Sequence, residues 1–304
     1  MIMNLNIEGQ TSTLVTLITE LQPLLNDEAL RIRKDAEVTE KMKFDADSWC
    51  RSVMGDSLVK LRLFTEQNFN YIETMSILAV TRYIFEMSVW LLLFKMDSRY
   101  GLVYYSRLIE TQLRYWQDCK VQTEREVLLL KKFESEEKSI MDEELKKLND
   151  IIDPKIKEKE AFNLSSFVMK KIDDKADRHF SIYAEQAKSN GYSFQAHLVE
   201  NKQLPIITSS IAELENEKTS FLSSIPDDIK LLIPKRWNWC DMAKKVDLGD
   251  EYEYIYSYTS KLLHATPSSI TTNQKNLELS EINIFLKYVR VKINDILSLA
   301  KQYS

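Results

Sequence analysis

Arg82 and Glu86 stand four residues apart in the apolar run ILAVTRYIFEMSVWLLLF, residues 77–94. That spacing puts both side chains on one face of a helix. Burying either charge without a partner costs about 3–5 kcal/mol, so each needs the other or a polar cavity. Far downstream Tyr252, Tyr256, Ser260 and His264 recur at every fourth position. Four residues turn an α-helix by about 400°, so this stripe drifts only about 40° per step. It would line up two phenols, a hydroxyl and an imidazole. Brought into one cleft, an Arg, a Glu, a Ser and a His have the chemistry to hold a phosphate and move a proton. The same residues also read structurally. The first pair then fixes helix register, and the second set is a tyrosine packing face with a capping histidine.

These residues need helices to position them, and the composition supplies little else. Five Gly and six Pro in 304 residues cannot furnish the turns that a β-rich chain requires. The class expected is all-α. No two glycines lie closer than 46 positions (Gly9 and Gly55, Gly55 and Gly101), so no Gly-rich phosphate loop can be built. Apolar stripes at spacings of three and four predict helices through residues 14–25, 47–65, 70–96, from about Asp247 to His264, and 280–300. Pro267 is the expected stop after His264. The 77–94 run is long enough to span a bilayer. Arg82 and Glu86 in its middle would each cost about 2.5–3.5 kcal/mol there, so it reads as the central helix of a bundle, with no membrane partner.

Residues 104–149 contain neither Pro nor Gly. Val127, Leu130, Phe133, Ile140, Leu145, Leu148 and Ile152 recur at mostly helical spacings among dense Glu and Lys. Asp153–Pro154 supplies a turn. Ile156, Phe162, Phe167, Met169, Ile172 and Ala176 line a returning helix that is expected to stop at Asn190–Gly191. This predicts a bundle core of residues 1–120 and 191–304, with a helical-hairpin, coiled-coil-like arm at 121–190. Residues 191–235, punctuated by Pro205, Pro226 and Pro234, are expected to be the least regular stretch, short pieces with one helix around Ser209–Phe221.

The remaining candidates are weaker. Three cysteines (Cys50, Cys119, Cys240) form no close pair, and His179 and His197 stand in unrelated settings. Neither a metal nor a cofactor is expected, and buried thiols fit a reducing cytoplasm. The first residues show no basic, apolar leader pattern. A net charge of −5 excludes a general nucleic-acid coat but not a local basic site. Lys235–Cys240, KRWNWC, puts two basic residues and two tryptophans just before the His264 helix, as core or as a base-stacking platform.

TRYIFEMSVWLLLF with Arg82-x3-Glu86, followed downstream by YIYSYTSKLLHATPSS with Tyr256-x3-Ser260-x3-His264, resembles a bacterial and archaeal all-helical domain family of unknown function. The likeness covers about residues 45–120 and 235–300. The layout is also similar to HEPN domains, helical bundles of bacterial defence and toxin systems, several of which cleave RNA without metal. Such nucleases carry an Arg five to seven residues before the His on the same helix. Here those positions hold Thr259, Tyr258 and Ser257, so Arg82 would have to substitute from a neighbouring helix. The resemblance implies a cytoplasmic protein of an antiphage defence or toxin-type system, acting on or binding RNA or a nucleotide. As an enzyme it would be a metal-independent ribonuclease. His264 would then be the acid/base and Arg82 the phosphate ligand, with Glu86 orienting Arg82, and Ser260 and Tyr256 positioning groups. The alternative is a non-enzymatic module whose arm self-associates or docks a protein partner.

Overall fold

The computed structural model describes residues 2–34, 42–67, 73–264 and 277–303, with side chains from residue 8 onward. Every regular element among them is helical. In chain order these are α1 (Ile2–Thr19), α2 (Gln22–Arg33), α3 (Ala46–Gln67), α4 (Thr74–Met96), α5 (Tyr100–Lys146), α6 (Pro154–Ala176) and α7 (Ala184–Asn190). They continue as α8 (Tyr192–Leu198), α9 (Leu204–Ser224), α10 (Asp227–Leu232), α11 (Trp239–Lys245), α12 (Gly249–Glu251), α13 (Ser257–Leu263) and α14 (Leu279–Ala300). The chain divides into two compact units, Met1–Arg107 with Phe221–Ser304, and Leu108–Ser220. The second is wider than the 121–190 arm read from the pattern. The expected stop at Pro267 and a start for α4 near Asn70 lie outside the described residues.

The first unit is built around α4. Its residues Leu78, Ile84, Phe85, Val89, Leu91 and Leu93 are essentially inaccessible, and α3, α11, α13 and α14 pack against it. Helix α4 is long and apolar enough to cross a membrane, but 67% of its apolar window is buried inside the protein. Helix α14 presents Ile282, Phe285, Val289, Ile293 and Leu297 inward, the stripe its spacing predicts. The stripe at 14–25 is split between α1 and α2, where Pro23 in the first turn of α2 has no N–H to continue α1. Cys50 is buried beneath the α4–α5 corner, and that burial pushes its thiol up to about 12. It is therefore a packing group rather than a nucleophile.

One polar cluster breaks the apolar face of α14. Lys292, its side chain 9% exposed, donates to Glu251 Oε1 at 2.8 Å, and the Tyr288 hydroxyl donates to Glu251 Oε2 at 2.8 Å. Burial and the Glu251 charge hold the Tyr288 phenol far above its ordinary range. Lys292→Met should therefore leave Glu251 short of its counter-charge. The expected loss is about 2 kcal/mol, below the deep-burial range because Glu251 is partly solvated. Urea unfolding at neutral pH measures it; an unchanged midpoint would mean that water serves Glu251 as well as Lys292 does.

The second unit departs from the pattern in three places. Helix α6 does not run on to Asn190. It ends at Ala176, and the chain re-enters a helix only at Ala184; that shorter helix α7 closes on Gly191, whose φ of 85° a side chain resists. Residues 191–235 are more regular than expected: the helix read around Ser209–Phe221 is present and longer, as α9. The backbone stays helical from Tyr192 to Ser224 through a π-helical turn at Val199–Gln203. Leu204 and Pro205 follow. A proline ring clashes with the carbonyl four residues back in an α-helix, and the wider π turn relieves that crowding. Third, Leu145, Ile152, Ile156, Phe162, Phe167 and Met169, expected inward, are all exposed. The buried seam comprises Val127, Leu130, Phe133, Ile172 and Ala176, joined by Ala184, Ala187, Tyr192, Ala196 and Val199. The short helices α7 and α8 cover one end of the hairpin, and nothing in this unit covers the other.

Candidate functional site

Three of the five site residues read from the sequence meet. Arg82 Nε donates to Glu86 Oε1 at 3.0 Å, as i,i+4 spacing on α4 requires. Arg82 Nη2 donates to the Tyr256 hydroxyl at 2.9 Å, and the guanidinium carbon lies 4.5 Å from the centre of the Tyr256 ring. Both the Arg82 and Glu86 side chains are 25% exposed. The pair therefore sits at a rim, not deep in the core, and its charges keep part of their hydration. Burial nevertheless raises the Glu86 carboxyl above its ordinary value, against the lowering effect of Arg82. Burial likewise raises the Tyr256 phenol, so it is neutral at physiological pH.

Arg82 has five N–H groups and Tyr256 one O–H. Glu86 and the Tyr256 oxygen take two of the Arg82 donors. Both Nη1 hydrogens and the phenolic proton have no protein acceptor among the described residues. The result is a fixed cation at a partly open rim with unused donors beside it, a geometry suited to an oxyanion.

Backbone geometry explains the placement of Tyr256. Helices α12 and α13 are joined by a π-helical segment, Tyr252–Tyr256. Its wider turn replaces the drift of a regular α-helix and stacks the Tyr252 and Tyr256 rings at 4.9 Å and 17°. Phe85 packs against both rings, at 6.2 and 5.9 Å. Single-turn π segments occur often at functional sites. Around this corner runs a half-buried aromatic tract: Trp239 lies 6.5 Å from Tyr256, Trp237 meets Trp239 edge-on, and Trp90 stacks on Trp237 at 4.0 Å. The tryptophans of KRWNWC are thus partly spent on packing each other and α4.

Ser260 and His264 are placed differently. The Ser260 Oγ is buried and makes no hydrogen bond among the described residues. His264 is the C-cap of α13, in extended backbone, with its N–H on the Ser260 carbonyl at 3.1 Å and its side chain exposed. Eight residues of helix separate it from Tyr256, about 12 Å along the axis. The structure therefore joins Arg82, Glu86 and Tyr256 in one cluster, without a hydrogen bond from Ser260 or His264 to any of them. The Tyr252–Tyr256 stack is the tyrosine packing face that the spacing offers, whereas the Phe85 floor and the Lys292–Glu251 pair that anchors the start of the π segment were not read from it. A Tyr and a Lys four apart on the apolar face of α14 were the available signal for the last. Among the described residues no group of three or more His, Cys, Asp or Glu is placed to hold a metal ion. His179 instead lies edge-on against Phe133 in the second unit, and His197 contacts Asn201.

The fold and this corner define an all-helical protein with an arginine–tyrosine rim site. Compared with family models, curated proteins and solved structures, the chain matches none. The HEPN-like resemblance rests on the residues of this sequence.

Proposed function

We propose that the protein binds RNA or a nucleotide, with a phosphate held by Arg82 and Tyr256 and a base lying against the neighbouring aromatic rim. One observation carries this reading: the Arg82 guanidinium is clamped by Glu86 and Tyr256, yet keeps unused N–H donors next to the phenolic proton at a partly exposed edge. The HEPN-like resemblance adds the expected setting, a cytoplasmic defence or toxin-type system. The geometry favours binding over cleavage, because the group proposed to move a proton, His264, lies two helical turns from Tyr256.

The test is direct titration of purified protein with ATP and with a short single-stranded RNA, followed by fluorescence anisotropy and tryptophan quenching. Wild type should bind, and more weakly as salt rises. Arg82→Met should lose about a hundredfold in affinity, the loss of a charged hydrogen-bonding anchor. His264→Ala should keep both its melting temperature and its affinity. Equal binding by wild type and a folded Arg82→Met protein removes the site from consideration. RNA degradation that disappears in His264→Ala, with binding intact, would restore the catalytic assignment of His264.

A further inference from the structure

We propose that the open end of the α5–α6 hairpin is a self-association surface, occupied by the same hairpin of a second copy. The reasoning begins with an unfinished core. Between positions 134 and 167 no residue of the hairpin is buried. Ile140, Met141, Leu148 and Leu164 are only half-covered, while Leu145 is 40% exposed, Phe162 74% and Met169 47%. Nearer the α7–α8 end, the same two helices bury Leu130, Phe133, Val168 and Ile172 almost completely. The hairpin thus has a full core at one end and half of one at the other.

Three of the exposed apolar groups, Leu145, Phe162 and Met169, share a side, whereas Ile156 and Phe167 lie more than about 100° the other way around α6. At about 100° per residue, Phe162 and Met169, seven apart, point within about 20° of each other. They lie about 90° around α6 from its buried Val168–Ile172 face. Counted from Leu130, the middle of the face that α5 turns to α6, Met141 stands about 20° and Leu145 about 60° around the helix. The helices run antiparallel, tied by the Lys175–Glu136 ion pair, so these two rotations of the same sense fall on one flank. The flank exposes Leu145 at 40%, Phe162 at 74% and Met169 at 47%.

Charge selects the occupant. Residues 134–146 of α5 carry six acidic groups and two Lys, a net −4. Residues 154–176 of α6 carry six Lys and four acidic groups, a net +2. A second hairpin, related by a two-fold axis and laid on the apolar flank, sets each acidic α5 over the partner's basic α6. The product is an antiparallel four-helix bundle whose core is completed by Leu145, Phe162 and Met169 of both copies.

Sedimentation equilibrium of the full chain tests the proposal. Wild type should be a dimer in the micromolar range. Phe162→Glu with Met169→Glu should raise the dissociation constant by about a hundredfold or more. Both positions are exposed, so circular dichroism should show unchanged helicity. A triple charge reversal at Lys155, Lys157 and Lys159 to Glu should weaken the dimer by at least about tenfold at low salt, and by less at high salt. Phe162→Leu should remain dimeric. A wild-type monomer into the high-micromolar range overturns the proposal, whatever other protein or lipid is then found on the flank. So does a dimer that survives the folded double-Glu variant.

Discussion

Gly101→Ala should destabilise the protein by about 3 kcal/mol, a fall of roughly 6–12 °C in Tm. A Cβ built on Gly101 would stand 2.2 Å from the Ala46 carbonyl oxygen and 3.0 Å from Cys50 Sγ. The obstacle is backbone, not the end of a flexible side chain, so α3 and α5 must separate for the methyl to enter. The neighbourhood is fixed on several sides. Cys50 Sγ contacts the Ser98 carbonyl at 3.3 Å, the Gly101 N–H bonds that same carbonyl at 2.8 Å, and Trp49 stacks on Tyr105 at 4.4 Å. Ordinarily Gly→Ala in a helix gains about 0.5–1 kcal/mol. Gly9→Ala supplies that control, since a Cβ there meets nothing within 4 Å. Opposite signs at the two positions, read in one thermal melt series, would establish that close approach of α3 sets the requirement at Gly101. A stabilising Gly101→Ala would show that the α3–α5 contact yields easily.

Much of the first unit was legible because one physical rule decides it. The spacing of Ile282, Phe285, Val289, Ile293 and Leu297 leaves α14 one face to bury, and all five are buried. The Arg82–Glu86 contact follows from i,i+4 spacing on one helix. Tyr256 was legible as a chemical group but not as the partner of Arg82. The two are 174 residues apart, and only the packing of α13 on α4 brings them together. The π segments at Val199–Gln203 and Tyr252–Tyr256 leave no mark in hydrophobic periodicity. A one-residue change in hydrogen-bond register depends on what each helix packs against, or on a following residue such as Pro205. The distal hairpin shows the converse limit. Phe162 and Met169 follow a helical pattern, but a pattern specifies an apolar stripe, not whether this chain or another covers it.

Arg82→Met should affect stability as well as binding, with a pH dependence that identifies the cause. In wild type the Glu86 carboxyl is raised by burial despite Arg82. A carboxyl raised in the folded state favours folding while it is protonated. Its contribution is complete below the ordinary value of 4.5 and is lost as pH rises through the raised folded value. Removing Arg82 takes away the lowering influence and moves that value higher still. Arg82→Met should therefore cost about 1–2 kcal/mol at neutral pH, moderated by the quarter exposure of the pair, and much less below the carboxylate range. Glu86→Gln should be mild, because the amide oxygen still accepts from Arg82 Nε and no ionised carboxyl remains to desolvate. The double variant should cost less than the two singles together, by about 1 kcal/mol at neutral pH, and the difference should vanish in acid. Tyr256→Phe removes the acceptor of Arg82 Nη2 but keeps the ring beneath the guanidinium, so it should weaken phosphate binding about tenfold with little effect on Tm. Coupling between positions 82 and 86 that persists unchanged into acid would mean that packing of the two aliphatic stems, rather than their charges, links them.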